Sequence, residues 1–172
     1  MSVITRKICL LGDFNVGKTS LIRRFVEDKF SDRYLSTVGV KVSRKSVKFK
    51  TDTNLPPLNL LIWDLEGNTK FKSITPSYLK GAAGSIIVGD LTRTNTLNSL
   101  NQHIDLFLKI NPQATIAIAL NKADLVPPEK LAKLIELHNY CDRTTVLGVY
   151  PTSAKTRENV ADLFVKLSRS FV

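Results

Sequence analysis

Acidic residues are scarce in this chain. Fifteen Asp and Glu stand against 25 Lys and Arg, for a formal net charge of +10. So basic a surface raises encounter rates with anionic partners but says nothing about fold. Charge alone admits nucleic acid, an acidic membrane or an acidic protein as partner. Cysteine is sparse too. Cys9 in an apolar run and Cys141 near a polar loop are far apart and point to a reducing compartment. No apolar run is long enough to span a bilayer. Met1–Lys7 is too short and polar for a signal peptide. Internal repeats, low-complexity tracts and interdomain linkers are missing. At 172 residues and 43% hydrophobic content, residues 1–172 read as one soluble globular domain. That length buries a core without a metal or disulfide staple.

What the chain does carry is Gly12-Asp13-Phe14-Asn15-Val16-Gly17-Lys18-Thr19. It fits G-x-x-x-x-G-K-[ST], the phosphate-binding P-loop. Ile8–Leu11 before it is a short apolar run like a buried strand, and Leu21, Ile22, Phe25 and Val26 after it recur at helical spacing. Strand, loop and helix are the context this pattern needs. Gly12 and Gly17 let the backbone bend around phosphate oxygens, so that successive N–H groups point inward at a helix N-terminus. Lys18 adds a charge toward the terminal phosphates, and Thr19 offers a hydroxyl to Mg²⁺.

Further along, Asp28–Tyr34 reads as a loop. A strand from about Val40 to Lys50 holds Lys41, Arg44, Lys45, Lys48 and Lys50, a charge density suited to a sheet edge. Thr51–Asn54 with Pro56-Pro57 is a turn, and Leu58–Trp63 returns as the second strand of a hairpin. Glu66–Lys80 is polar and irregular. Gly84–Gly89, Ala114–Leu120 and Thr145–Tyr150 are further strands. Leu97, Leu100, Ile104, Phe107 and Leu108 mark one amphipathic helix. A second opens at Pro127-Pro128 with Leu131, Leu134, Ile135 and His138 on one side, and a closing helix presents Val160, Leu163, Phe164, Leu167 and Phe171. The expectation is an α/β fold: a six-stranded, mostly parallel sheet with one antiparallel hairpin strand and helices on both faces. Ligands in such sheets sit beyond the carboxyl ends of the strands, so more chemistry should appear where each strand stops.

Three strand ends carry it. Trp63-Asp64-Leu65-Glu66-Gly67 places a carboxylate where it can support Mg²⁺ and a glycine N–H where a terminal phosphate would lie. Asn121-Lys122-Ala123-Asp124 offers a carboxylate that can accept two parallel hydrogen bonds from the guanine N1–H and exocyclic amine. Adenine has no such pair and would leave a buried acceptor unpaired. Sites of this kind discriminate by as much as ~10⁴–10⁵. Thr152-Ser153-Ala154-Lys155 could bring the Ala154 N–H to the guanine carbonyl. A P-loop ATPase or kinase is disfavoured by Asn121 and Asp124.

In order and spacing, the P-loop, a Thr in a loop, W-D-x-x-G, N-K-x-D and T-S-A-K resemble a small GTPase of the Ras superfamily. Tyr34-Leu35-Ser36-Thr37-Val38-Gly39-Val40 is closest to the Rab branch. The resemblance implies a P-loop G domain that binds GTP and GDP with Mg²⁺. By that resemblance Gly12, Asp13, Phe14, Asn15, Val16, Gly17, Lys18, Thr19 and Ser20 wrap the phosphates. Thr19, Thr37 and Asp64 serve the metal, Thr37 only with GTP bound. Gly67 senses the γ-phosphate. Asn121 and Asp124 read guanine, Lys122 packs along the nucleotide, and Ser153, Ala154 and Lys155 close the base pocket. Phe30 stands where the family places an aromatic against the guanine ring. Lys18, Thr37, Gly67, Asn68 and Glu66 would carry hydrolysis. Phe30–Val40 and Asp64–Tyr78 match the two switches, which order on the γ-phosphate and bind effectors. An exchange factor and a GTPase activator are implied, with a cytoplasmic protein that is membrane-peripheral only through a partner. The basic strand Val40–Lys50 would meet an anionic partner; nucleic acid is not expected.

The chain departs from the family at four places. The switch run D-T-A-G-Q is Asp64-Leu65-Glu66-Gly67-Asn68 here, so Asn68 replaces the water-positioning Gln and Glu66 a small residue. Phe14 stands at a P-loop position that Ras and Rab proteins usually keep small. All three bear on hydrolysis rather than binding, and imply either a slow GTPase switch or a module that holds GTP as a scaffold. The fourth is the ending Ser170-Phe171-Val172, with no C-terminal Cys for prenylation. It implies no stable lipid anchor by that route, through a removed tail or a tailless member such as the Ras-like proteins of prokaryotes.

Overall fold

A computed structural model describes residues 3–33, 37–50, 52, 54–65, 67 and 75–172. The strands are β1 Ile4–Gly12, β2 Val40–Val47, β3 Leu58–Leu65, β4 Gly84–Asp90, β5 Thr115–Asn121 and β6 Val146–Pro151. The helices are α1 Lys18–Glu27, α2 Thr75–Leu79, α3 Thr94–Asn98, α4 Leu100–Ile110, α5 Pro128–Leu137 and α6 Val160–Arg169, with a 3-10 turn at Ala123–Leu125. The sheet runs β2-β3-β1-β4-β5-β6. β2 pairs antiparallel with β3, and every other neighbour is parallel. The strand so rich in Lys and Arg is therefore an edge strand, where charged side chains reach water and discourage edge-to-edge pairing.

Alternation along the central strands builds two cores. Ile8 and Leu10 of β1 face one way, with Ile86 and Val88 of β4 and Ala117 and Ala119 of β5. Leu21 and Ile22 of α1 and Leu163, Phe164 and Leu167 of α6 cover them. Cys9 and Leu11 face the other way, with Ile87, Ile116 and Ile118, beneath Leu97 of α3 and Leu100, Ile104 and Phe107 of α4. On the first face Phe25 stacks on Phe164 at 4.1 Å between ring centroids. Burial of Cys9 pushes its thiol up to about 12, so it acts as a small apolar side chain. Cys141 is exposed and free.

Four details differ from the expectation. Apolar periodicity predicts one helix through Leu97–Leu108, whereas α3 and α4 are separate helices that meet at Ser99. There the Asn95 carbonyl accepts the Ser99 N–H at 3.2 Å with the Ser99 hydroxyl 2.9 Å away, the local side-chain bonding that bends helices. Within the stretch read as irregular, Thr75–Leu79 is helical, with Leu79 buried under α4. Pro76 falls in its first turn, where the missing N–H costs nothing. β2 stops at Val47, three residues short of Lys50; Phe49 is buried and the chain turns with Asp52 N–H donating to the Phe49 carbonyl. His138 caps α5 rather than lying within it. Among the described residues no helix is long and apolar enough to cross a membrane.

Candidate functional site

β1 delivers the P-loop at its carboxyl end, and α1 starts directly after it at Lys18. Gly12 and Gly17 both have positive φ, at 152° and 102°. A Cβ on Gly12 would strike the Val88 carbonyl of β4, and one on Gly17 the Asn121 amide. Each consecutive carbonyl of the loop has a donor. Lys18 Nζ donates to Gly12 O at 3.0 Å and to Asp13 O at 2.9 Å. Arg93 Nη2 donates to Phe14 O at 2.7 Å, Lys122 Nζ to Asn15 O at 3.1 Å and Asn121 Nδ2 to Val16 O at 3.0 Å. Gly17 O accepts from the Leu21 N–H at 2.9 Å. With its carbonyls engaged in this way, the loop leaves N–H groups to offer an anion. Among the described residues no backbone carbonyl accepts from the N–H groups of Asp13, Asn15, Val16 or Gly17. This is an anion cradle at a helix N-terminus.

Lys18 is 6% exposed, and its burial pushes the ammonium down to about 8 against the opposing pull of Asp64 and Asp13. Phosphate charge arriving beside it would hold the proton on. Gly67 comes so close to the loop that a Cβ there would lie 2.6 Å from both Asp13 O and Lys18 Nζ.

Next to the cradle, Thr19 Oγ1 and Thr37 Oγ1 lie 2.6 Å apart. Both donate to Asp64 Oδ2, at 2.6 and 3.1 Å. Asp64 Oδ1 is buried and has no hydrogen-bond partner among the described residues. Burial pushes the Asp64 carboxyl up, against the hydrogen bonds from Thr19 and Thr37 and the charge of Lys18. Two hydroxyls beside an orphaned carboxylate oxygen are hard donors that fit Mg²⁺, which keeps phosphate oxygens and waters for its other positions.

At the other end, β5 stops at Asn121 and β6 at Pro151, side by side. Asn121 Oδ1 accepts from Thr152 Oγ1 at 3.2 Å, which fixes the amide whose nitrogen holds Val16. Ser153 Oγ donates to Asp124 Oδ1 at 2.7 Å and accepts from the Thr156 N–H at 3.0 Å. Ala154 is buried. A cavity of about 450 Å³ joins the two ends, lined by Phe14, Asn15, Gly17–Ser20, Phe30, Thr37, Gly67, Asn121, Lys122, Asp124, Ala154 and Lys155. Its size suits a nucleotide. Gly12, Asp13, Val16, Asp64 and Ser153 support this cavity from behind. Glu66 and Asn68 lie outside the described residues, as do 34–36 of the first switch run and 69–74 of the second.

Comparison with known proteins decides the family. The Ras family pattern matches residues 7–172. The chain belongs to the Ras family. It is 35% identical to the human Ras-related protein Rab-22A over 170 residues, 98% of this chain and 84% of that protein. It is 34% identical to the GTP-binding protein ypt5 of Schizosaccharomyces pombe, over 96% of this chain and 77% of that protein. The Ras-related protein RABF2a of Arabidopsis thaliana is 34% identical over 96% of this chain and 80% of its own length. The chain is thus a Rab-like small GTPase, and Ras-family GTPases bind GTP and GDP with Mg²⁺.

For this Ras-family chain, residue-type reasoning missed the frame behind the P-loop. Asp90, fully buried, accepts from Lys122 Nζ at 2.6 Å, Arg93 Nε at 3.0 Å and Thr92 Oγ1 at 2.6 Å. Burial pushes its carboxyl up, but these hydrogen bonds prevail and hold it below the usual range. Asp13 turns its carboxylate away from the cradle to Ser99 Oγ at 2.5 Å and His103 Nε2 at 2.8 Å. The strand-end rule, applied to β4, points to Asp90; Arg93, Ser99 and His103 have no comparable signal.

Proposed function

We propose that this GTPase is a nucleotide-dependent switch. It holds GTP or GDP in the cavity between the P-loop and the β5–β6 strand ends, hydrolyses GTP slowly, and engages effectors through Phe30–Val40 and Asp64–Tyr78 in the GTP state. The observation that carries the reading is Thr37. Its hydroxyl, from the loop before β2, lies 2.6 Å from Thr19 Oγ1 and 3.1 Å from Asp64 Oδ2, the group that would take Mg²⁺. A loop tied to that point by one threonine is held when γ-phosphate and metal are present and released when they are not.

The roles follow from position. Lys18 and the loop N–H groups neutralise charge on the phosphoryl oxygens, where such groups contribute most of the catalysis. Bound Mg²⁺ would supply further charge neutralisation there. Thr37 orients an in-line water, with Asn68 or Glu66 as its second contact. Asp124, steadied by Ser153, reads the guanine edge. Phe30 flanks the base. An exchange factor must open this site and an activator complete it. The edge strand β2, with Lys41, Arg44 and Lys45 beside the first switch, presents a surface for an anionic partner. The protein is peripheral to membranes through partners.

Intrinsic hydrolysis should fall below the Ras value of about 10⁻⁴ s⁻¹. Asn68 is shorter than Gln by one methylene, roughly 1–1.5 Å. A misplacement of that size costs on the order of 10²-fold. Phe14, 48% exposed at the cavity, crowds the space a positioning amide or an activator's Arg would use. Single-turnover hydrolysis tests this. Asn68→Gln should accelerate it, most with Phe14→Gly; Glu66→Ala should slow it if Glu66 holds the water and speed it if Glu66 only repels phosphate. A wild-type rate well above the Ras value without an activator would refute the slow-switch reading.

A further inference from the structure

We propose that Arg24 of α1 is a positioning residue for base recognition: it fixes the backbone around Ala154 so that the Ala154 N–H can read the 6-carbonyl of the purine. This rests on the guanine-binding reading of the same cavity.

Arg24 lies on a charged helix face next to Arg23, where a solvated surface residue would be expected. Its side chain is instead only 10% exposed. Nε donates to the Ala154 carbonyl at 2.8 Å, and Nη2 to the Lys155 carbonyl at 3.2 Å. Nη1 turns to the end of α1, donating to Asp28 O and Asp28 Oδ1, both at 3.1 Å. One planar fork thus engages two consecutive carbonyls of the loop after β6 and the left-handed cap residue of α1. A lysine could not copy this, because a single ammonium with three donors cannot serve four acceptors spread around a planar fork.

Both walls of the base pocket hang on that fork. Ala154 and Lys155 form one wall. Asp28 leads in two residues to Phe30 on the other. On its N-terminal side, Ala154 is pinned by Ser153, whose N–H donates to Glu158 O at 3.1 Å and whose hydroxyl holds Asp124. On its C-terminal side Arg24 holds the Ala154 and Lys155 carbonyls directly, beside the bond from the Thr156 N–H back to Ser153 Oγ. Among the described residues no backbone carbonyl accepts from the Ala154 N–H. It is a fixed donor at the cavity, as an acceptor on the base requires.

The two contacts to the base separate experimentally. Asp124 faces N1–H and the 2-amine; Ala154 faces the 6-position. Affinities for GDP, 6-thio-GDP and IDP should therefore be compared in wild type, Arg24→Ala and Arg24→Lys. 6-Thio-GDP keeps N1–H and the amine but puts a weakly accepting sulfur opposite Ala154. IDP keeps the 6-carbonyl and lacks the amine. Wild type should prefer GDP over 6-thio-GDP by roughly 3–10-fold, the scale of one neutral hydrogen bond. In Arg24→Ala that preference should collapse to below about twofold, GDP should dissociate faster, and the preference for GDP over IDP should persist. Arg24→Lys should fall between, and it decides by the same ratios if Arg24→Ala does not fold. Unchanged 6-thio discrimination in the variants would overturn the proposal, as would a parallel loss of both preferences, or a wild type that favours GDP over IDP but not over 6-thio-GDP. A wild type with no preference for GDP over IDP would instead refute the guanine reading itself.

Discussion

Gly67→Ala isolates the γ-phosphate end of the site. The added Cβ would lie 2.6 Å from Asp13 O and Lys18 Nζ and 2.8 Å from the Asp13 carbonyl carbon. That is about 0.4 Å inside the closest approach real Cβ atoms tolerate. The P-loop cannot yield, because Asp13 O is held by Lys18 at 2.9 Å and Lys18 is itself buried. So either residue 67 retreats and its N–H no longer reaches the phosphate, or Lys18 gives up a contact. Each way one charge-assisted hydrogen bond is lost, about 1.5–3 kcal/mol, or roughly 10–150-fold in affinity for GTP. GDP, which ends one phosphate earlier, should change far less. The backbone at 67 is not among the glycines of positive φ, so alanine adds no intrinsic strain and the melting temperature should hold. Displacement of a fluorescent nucleotide by GTP and by GDP, with Mg²⁺, measures the ratio directly. A GTP-to-GDP ratio within twofold of wild type, or an equal loss for both, would refute the reasoning.

Three further outcomes follow from the same geometry. Asp124→Asn should move preference from guanine toward xanthine nucleotides, whose 2-carbonyl accepts where guanine's amine donates; unchanged competition by XTP would contradict it. Asp90 is held below the usual carboxylate range, so its contribution to stability is complete above its unfolded pKa of about 3.9 and is lost as pH falls through the lower folded value. Chemical denaturation should therefore show wild type losing stability in acid more steeply than Asp90→Asn, and parallel curves would count against the Asp90 frame. Arg44 on the edge strand and Lys48 just after it are exposed, whereas Lys45 is tied to the Val26 carbonyl at 3.2 Å. Reversing Arg44 and Lys48 to Glu should abolish low-salt binding of a polyglutamate probe; retained binding would make the strand a solvated face.

Much of this molecule is legible in the residues because its period and its chemistry agree. Buried runs such as Ile8–Leu11 and Ile116–Leu120 can only be central strands, and the charges of β2 can only sit at an edge. The P-loop after β1, Asp64 on β3, and the Asn121–Asp124 and Thr152–Lys155 runs after β5 and β6 all fall at strand ends, so the ligand rule for such sheets finds them. What the residues hide are contacts set by tertiary approach. Arg24 and Arg93 look like surface cations until their carbonyl partners, 130 and 79 residues away, are in view. The break between α3 and α4 at Ser99 falls inside a continuous apolar period, so periodicity alone runs through it. The short helix Thr75–Leu79 is stabilised by burial of Leu79 rather than by any helical pattern of its own.

The central claim is that this cavity is built for a guanine nucleotide with Mg²⁺. Competition of GTP and ATP for the Mg²⁺-loaded wild-type chain tests it most directly. The account predicts that ATP fails to displace a bound guanine nucleotide unless present at an excess approaching ~10⁴-fold, the scale of a site whose buried acceptor the wrong base leaves unpaired. ATP competing as well as GTP would contradict it.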